Sequence, residues 1–450
     1  MKYLVKLFYI CSKLTSSKIK RDAKKAKLRV RNHHKVSKTI DISSHNQKRL
    51  DKWIEIYMRN HSDLVCHHDS SHPKCVKDVF HTYNRSLDTA SAKSKKPAPA
   101  PAPVKPVNPT LVPKSFTATQ LATIYGCSPP LATASQTIGI ISLGGIMNIS
   151  DAIQYWTNVC GIPVANQPQI SIVIVDNAVN LSSPADAENA IDVQIAGACC
   201  PSKNTKIIFY SAPNTTVGFY DAIKMAITNN STVISISWGQ PESSWGKATC
   251  LSFDALLGTA VANNITVCVA AGDNGSSDGI SGGKHVDFPG SSKNVLCVGG
   301  TRLLTNGNTY AGAIETVWDD NSATSATGGG MSTFFSRPAY QNGIQSSSFR
   351  TTPDISLNAD PMTGWQVTLY GKPAVYGGTS CAAPAMAGFL ASTGKKIFAN
   401  PVLYKNYTST NANFHDIISG NNGANSTSTG YDLCTGMGSI NGASLLKNYM

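Results

Sequence analysis

The feature that most constrains this chain is a series of uninterrupted apolar runs, rich in β-branched residues, with helical patterns between several of them. TIGIISLGG (137–145), ISIVIVD (170–176), KIIFYSA (206–212), STVISISWG (231–239), ITVCVAAGD (265–273) and VLCVGGT (295–301) read as buried strands. A strand that buries one face alternates apolar and polar residues; these runs do not, so their sheet is covered on both faces. Helical patterns fall at 150–159, 184–198, 217–229 and 250–263. Such an order builds an α/β domain around a parallel sheet, whose site lies at the carboxyl ends of the strands. Asp273 closes one of the runs, where a functional carboxylate belongs. No internal repeat is present.

Composition separates this domain from what precedes it. The 450 residues are 41% hydrophobic and only 14% charged, which suits a large core. The net charge of +13 is local: residues 1–100 hold 23 Lys and Arg against 8 Asp and Glu, and the remainder hold 16 against 18. The Pro/Ala/Lys stretch KSKKPAPAPAPVKPVNP (93–109) reads as a semi-rigid extended linker. The chain therefore divides into a basic, partly disordered N-terminal segment (1–92), a linker (93–113) and the main domain (114–450).

The N-terminal segment offers several readings. Residues 18–38 are dense in Lys and Arg, fitting a solvated tail or weak binding to nucleic acid or an anionic surface. KRLDKWIEIYM fits one short amphipathic helix with Leu50, Ile54 and Tyr57 on a face. Cys66, His67, His68, His72, Cys75 and His81 match no standard zinc spacing; zinc, a Cys66–Cys75 disulfide and unbonded thiols all remain open. MKYLVKLFYICSKL is a signal-peptide or anchor candidate, interrupted by Lys6 and without a clean cleavage site. No later run is long and apolar enough to span a membrane. The twelve Cys contain no CxxC pair, which argues against a zinc ribbon or thioredoxin-type motif. Disulfides would suit an exported protein.

Three elements of the main domain carry chemistry. Ser380 lies in YGGTSCAAPAMAGFLA, where Gly377 and Gly378 allow a tight turn into a helix. It reads either as an exposed nucleophile at a helix N-terminus or as an ordinary N-cap serine. A serine nucleophile needs a base, but beyond the linker only His285 and His415 are available. SSPADAENAIDVQIAGA supplies another: Ser183 caps, Pro184 opens a helix, and Glu188 and Asp192 fall at i and i+4 on one face. Two coupled carboxylates share a proton, so one serves as base while the other orients it. The alternative is a solvent-facing helix with incidental acids. Asp273 in AAGDNG is either a turn aspartate or a carboxyl that, when protonated, donates to a developing oxyanion.

From about Phe116 to Leu446 the chain resembles the sedolisins, or serine-carboxyl peptidases. FTATQLATIYG, TIGIISLGG, ENAIDVQ, VISISWG, AAGDNGSSDG, FPGSSKNVLCVGGT, TGGGMSTFFSRPAYQ, PDISLNADPMTGW and GGTSCAAP match that family's blocks in order. The resemblance implies a subtilisin-like parallel sheet flanked by helices. It places the base on Glu188, its supporting carboxylate on Asp192, the oxyanion carboxyl on Asp273 and the nucleophile on Ser380, with Trp238 near the site. It also implies one structural Ca2+, through FHDII and STGYDLCTGMG, held by the carboxylates of Asp416 and Asp432 and the carbonyls of Ile417, Ser428 and Gly430. The implied activity is acid-active hydrolysis of protein or peptide substrates by a monomer, as an endopeptidase or a tripeptidyl-peptidase.

Three departures from the family stand out. What precedes Phe116 is about half the length of the usual propeptide and shares no block with it, which puts zymogen control and secretion in question. Secretion or an acidic compartment is the expectation, with packaging in a viral particle as the alternative. Ser142 replaces a Glu that extends the catalytic network in many members, and Cys381 adds a thiol directly after Ser380. The rival reading is a catalytically silent relative that binds partners through its basic N-terminus.

Overall fold

The computed structural model describes residues 111–127, 135–320, 325–407 and 412–449, together with Arg29–Val30 and Lys38–Thr39. The chain falls into two units, Met1–Lys105 and Pro106–Met450. In the first, Arg29–Val30 and Lys38–Thr39 pair as an antiparallel ladder. The expected tail disorder, amphipathic helix, Cys/His patch and N-terminal signal lie outside the described residues.

The second unit is built on a ten-stranded sheet. Its strands are β1 (Gln136–Ser142), β2 (Gln169–Ile174), β3 (Thr205–Ser211), β4 (Val233–Ile236), β5 (Thr266–Ala270), β6 (Leu296–Leu304), β7 (Ile314–Val317), β8 (Ile355–Asn358), β9 (Phe414–His415) and β10 (Ser439–Ile440). The order is β9-β10-β8-β6-β5-β4-β1-β3-β2, with β7 also on β6. Every pairing from β2 to β10 is parallel; β6–β7 and β9–β10 are antiparallel.

Alternation along each strand feeds two cores. Ile138, Ile140, Phe209, Val233 and Cys268 face one, while Ile141, Tyr210, Ile234, Val267 and Val269 face the other. That double burial is why these strands read as continuous apolar runs. One expectation fails: β2 was predicted as a buried strand but forms the sheet's outer edge, where Ile174 is 47% exposed. An edge strand is bordered on one side only, and composition does not distinguish it from a central one.

The helices that matter to the site are α1 (Ala185–Cys199), α2 (Thr216–Thr228), α3 (Lys247–Ala262) and α4 (Thr379–Ser392). α4 packs on α1 and crosses β4, β5 and β6. Its residues from Cys381 to Ser392 are all buried, and most are small, so the backbones approach closely. The helix predicted at 150–159 is a short α-helix, Ile149–Gln154, that widens to a π-helix over Tyr155–Val159. Among the described residues no helix is long and apolar enough to cross a membrane, and the nine described cysteines are all free.

Candidate active site

The carboxyl ends of β4 and β5 meet the N-termini of α1 and α4. α1 begins at Ala185, one residue later than predicted, with Pro184 as N-cap. Ser183 Oγ still accepts from Ala185 N (3.2 Å). Asp186 ties the first turn to three segments: its carboxylate accepts from Ser183 N (3.0 Å), Ile146 N (2.8 Å), Ser182 Oγ (2.5 Å) and Tyr370 Oη (2.7 Å). Against desolvation, these bonds hold its carboxyl below the ordinary value. Two turns on, Gln194 exchanges hydrogen bonds with the backbone of Thr368 (2.6 and 2.8 Å). α1 is thus clamped on both sides of Glu188 and Asp192.

Ser142, where a glutamate was expected, sits at the end of β1 and donates to Asn189 Oδ1 (2.6 Å). Asn189 Nδ2 donates in turn to Gly144 O (3.0 Å) and Ile146 O (3.1 Å). Ser142 therefore holds the residue next to Glu188 rather than extending a chain of acids.

Glu188 is partly buried and Asp192 fully buried. Burial pushes the Glu188 carboxyl up to about 7; hydrogen bonding with Ser380 and Ser237 opposes that push, and the Asp273 charge adds to it. Burial, then the Glu188 charge, raises Asp192, and the Ser237 hydroxyl opposes both. Ser237 Oγ donates to Asp192 Oδ1 at 2.6 Å. Glu188 Oε1 and Asp192 Oδ2 are buried without a partner. Ser380 lies near enough to Glu188 for its hydroxyl to favour the charged carboxylate.

Ser380 stands in the first turn of α4, where backbone N–H groups have no intrahelical acceptor. Four residues on, Pro384 lies inside the helix and has no N–H to give to the Ser380 carbonyl. Ser237 Oγ approaches that carbonyl at 3.4 Å. One hydroxyl thus links the buried acid of α1 to the main chain of Ser380.

Asp273 lies three residues beyond β5, not on it. Its Oδ1 accepts from both Thr379 N and Thr379 Oγ1 at 2.8 Å. Burial raises its carboxyl, and those two bonds oppose the rise. The other oxygen, Oδ2, is left to carry a proton, and it sits over Gly378: a Cβ there would lie 2.7 Å from it. Gly378 also has φ +109°, so geometry and space both demand glycine at this position.

Glu188, Asp192, Asp273 and Ser380 are therefore brought together. The buried Cys381 thiol lies within the field of all three acids, which with its own burial pushes it up, so it stays neutral. Both histidines lie elsewhere: His285 Nδ1 is 3.5 Å from Ser243 Oγ, and His415 stacks on Tyr310 at 3.4 Å. Reading the sequence alone missed Ser237, Thr379 and Asn189; the position of Ser237 just past β4 was the available signal.

The predicted calcium ligands lie apart from this site. Asp416 Oδ2 accepts from Gly430 N (2.9 Å) and Asp432 Oδ2 from Ser428 N (3.4 Å), so both carboxylates turn onto one loop. Asp432 Oδ1 is taken by Cys434 N and Thr435 N (2.8 and 2.9 Å). Among the described residues neither acid pairs with Lys or Arg, and no group of three or more His, Cys, Asp or Glu surrounds one point. Two carboxylates turned onto one loop supply hard oxygen donors of the kind a hard cation such as Ca2+ takes.

Known proteins share this architecture. The profile described as "Subtilase family" matches residues 157–430. Kumamolisin of Bacillus sp. (strain MN-32) is 38% identical over 364 residues, 74% of this chain and 64% of that protein. Sedolisin of Pseudomonas sp. (strain 101) is 32% identical over 359 residues, 74% of this chain and 61% of that one. The chain thus spans somewhat over three-fifths of these curated relatives. A solved structure of Pseudomonas sedolisin, a serine-carboxyl proteinase complexed with two molecules of pseudo-iodotyrostatin, aligns with a TM-score of 0.67 and 30% identity, over 75% of this chain and 98% of that one.

Proposed function

This chain belongs to the sedolisins, within the subtilase family, and from that premise we propose that it is an acid-active serine-carboxyl peptidase. The observation that carries the reading is the convergence of Glu188, Asp192 and Asp273 on Ser380, with no histidine in reach among the described residues. In the productive form Asp273 bears a proton and Glu188 does not.

Ser380 Oγ attacks the peptide carbonyl carbon while Glu188, held and polarised by Asp192, takes the hydroxyl proton. The electron pair of the carbonyl moves onto oxygen. There the Asp273 Oδ2–H and a first-turn N–H of α4 donate to it. Glu188 then passes its proton to the amide nitrogen as the C–N bond breaks. Water attacks the acyl-enzyme with Glu188 again as base, and Ser380 recovers its proton.

The negative charge that develops on the oxyanion favours keeping the Asp273 proton, while a buried Glu188 is a stronger base than an exposed one. Glu188, raised to about 7 by burial, must be ionised, and Asp273, also raised by burial, must keep its proton, so activity falls on the alkaline side as Asp273 loses it. Ca2+ held by Asp416, Asp432 and the carbonyls of Ile417, Ser428 and Gly430 would tie the C-terminal loop to the sheet and take no part in proton transfer. Substrates are proteins or peptides, and secretion or an acidic compartment suits the pH range.

A mixed peptide library, digested at a series of pH values and read by mass spectrometry, tests this. Cleavage at acid pH that vanishes in Ser380→Ala is expected, and the cleavage sites separate internal cutting from tripeptide removal. A Ser380→Ala protein as active as the parent would refute the assignment.

A further inference from the structure

Next to Asp273 lie two acids that the reaction above does not use. Asp278 and Asp287 are 4% and 9% exposed, and Asp278 Oδ2 and Asp287 Oδ1 have no hydrogen-bond partner. Buried oxygens without a partner are rare in folded proteins and call for an explanation. Asp278 also holds φ +47°, a conformation uncommon outside glycine.

The two carboxyls meet at the residue before Asp273. A Cβ placed on Gly272 would lie 3.3 Å from Asp278 Oδ1, 3.3 Å from Asp287 Cβ and 3.5 Å from Asp287 Oδ2. The second oxygen of Asp287 is pressed against Gly239, just after Trp238 and β4; a Cβ there would collide with it. The ladder between Gln240–Pro241 and Asp287–Phe288 fixes that placement.

No cation offsets these acids among the described residues. Apart from burial, Asp278 feels Asp273, and Asp287 feels Asp278 and Asp273. Lys284, on the same loop, turns to Asn425 Oδ1 (2.9 Å), and His285 turns to Ser243. From β6 the facing group is the Cys297 thiol, itself raised by burial and by Asp354. From α1, Glu188 adds another carboxyl on the far side of Asp273. Three carboxyls in one water-poor pocket without a cation cannot all ionise, because each charge disfavours the next.

We propose that Asp278 and Asp287 share one proton and act as a positioning pair that keeps Asp273 proton-bearing to higher pH than it would be alone. The proposal rests on Asp273 being the oxyanion donor. The pair touches no reacting atom; it acts through the single negative charge that it keeps beside Gly272. Asp278 Oδ1 and Asp287 Oδ2 both face the point that a Cβ on Gly272 would occupy.

The test is the pH profile of kcat/KM on a quenched fluorescent peptide, for the full chain and for Asp278→Asn/Asp287→Asn. Removing the charge should move the alkaline limb down by about one pH unit and leave the acid-side rate in place. Each single variant keeps one carboxylate and should move the limb less. A uniform fall at every pH with the limb unmoved would make the pair merely structural and overturn the proposal, as would an unchanged profile.

Melting temperature supplies a readout that needs no turnover. Carboxyls that hold their protons more tightly when folded stabilise below their unfolded range, and that contribution is lost as pH rises. The parent's Tm should therefore fall between pH 4 and pH 8, and fall less in the double variant. Parallel Tm curves would overturn proton sharing. Diverging Tm curves in a protein that cleaves nothing at any pH would leave the sharing standing and remove the peptidase reading. Should the double variant not fold, the two single variants carry the same comparison.

Discussion

Buried acids occur in two regions of this molecule and are treated in opposite ways. At the ends of β4 and β5, Glu188, Asp192, Asp278 and Asp287 each keep an oxygen without a partner. Farther along the sheet, at β6–β8, every oxygen is occupied. Asp354 takes a bidentate pair of bonds from Arg350 (2.5 and 2.6 Å), together with Tyr404 Oη (2.7 Å) and Cys297 N (2.8 Å). Glu315 accepts from four hydroxyls, those of Tyr125, Thr301, Tyr310 and Ser439, at 2.5 to 2.7 Å. A satisfied acid fixes tertiary structure, whereas an unsatisfied one is free to exchange a proton. Burial alone does not separate function from architecture here; hydrogen-bond saturation does.

Substitutions should break the two regions differently. Ser380→Ala is expected to lower kcat by more than about 10⁴-fold with Tm unchanged, checked by steady-state kinetics and calorimetry. Asp273→Ala, which removes the oxyanion donor, should cost about 10²–10³-fold in kcat. In the saturated region the loss should appear as stability. Arg350→Met leaves Asp354 buried without its cation, and denaturant unfolding should show a loss of about 3–5 kcal/mol. Rates per folded molecule should stay at the parent level. Glu315→Gln keeps the shape but mismatches the four hydroxyls, and about 1–3 kcal/mol should be lost in the same assay.

pH sharpens the contrast. Glu188 is raised to about 7 in the folded state. Its contribution to stability is present in full below the unfolded carboxyl range and is lost as pH rises through 7. The denaturation midpoint should therefore drop between pH 4 and pH 8, and Glu188→Gln should be the more stable protein at pH 8. The smallest effect belongs to the proposed cation site: chelation should lower Tm by about 5 °C, and Asp432→Asn should be insensitive to chelator.

Much of this was legible in the sequence, for identifiable reasons. Strands such as VISI and TVCVA are buried on both faces, so their composition announces them; the edge position of Gln169–Ile174 and the short strands Ile314–Val317, Ile355–Asn358, Phe414–His415 and Ser439–Ile440 were hidden. Glu188 and Asp192 were readable because helical spacing alone places i and i+4 together. Ser237 was not, because a serine closing a strand resembles any other. The pairing of Pro384 with the Ser380 carbonyl required knowing where α4 starts. Nothing in the sequence singled out Asp278 and Asp287, since the absence of a partner is a property of the folded neighbourhood. The conspicuous Cys/His patch and most of the basic stretch fall outside the described residues.

The central claim is that carboxylates, not a histidine, drive Ser380. Its most direct test is the pH–rate profile of one defined peptide for the parent, Glu188→Gln and His285→Ala. Carboxylate chemistry predicts acid-side activity that is lost on the alkaline side as Asp273 gives up its proton, is abolished by Glu188→Gln and is retained by His285→Ala. A neutral or alkaline optimum that survives Glu188→Gln, or one that collapses in His285→Ala, would contradict it.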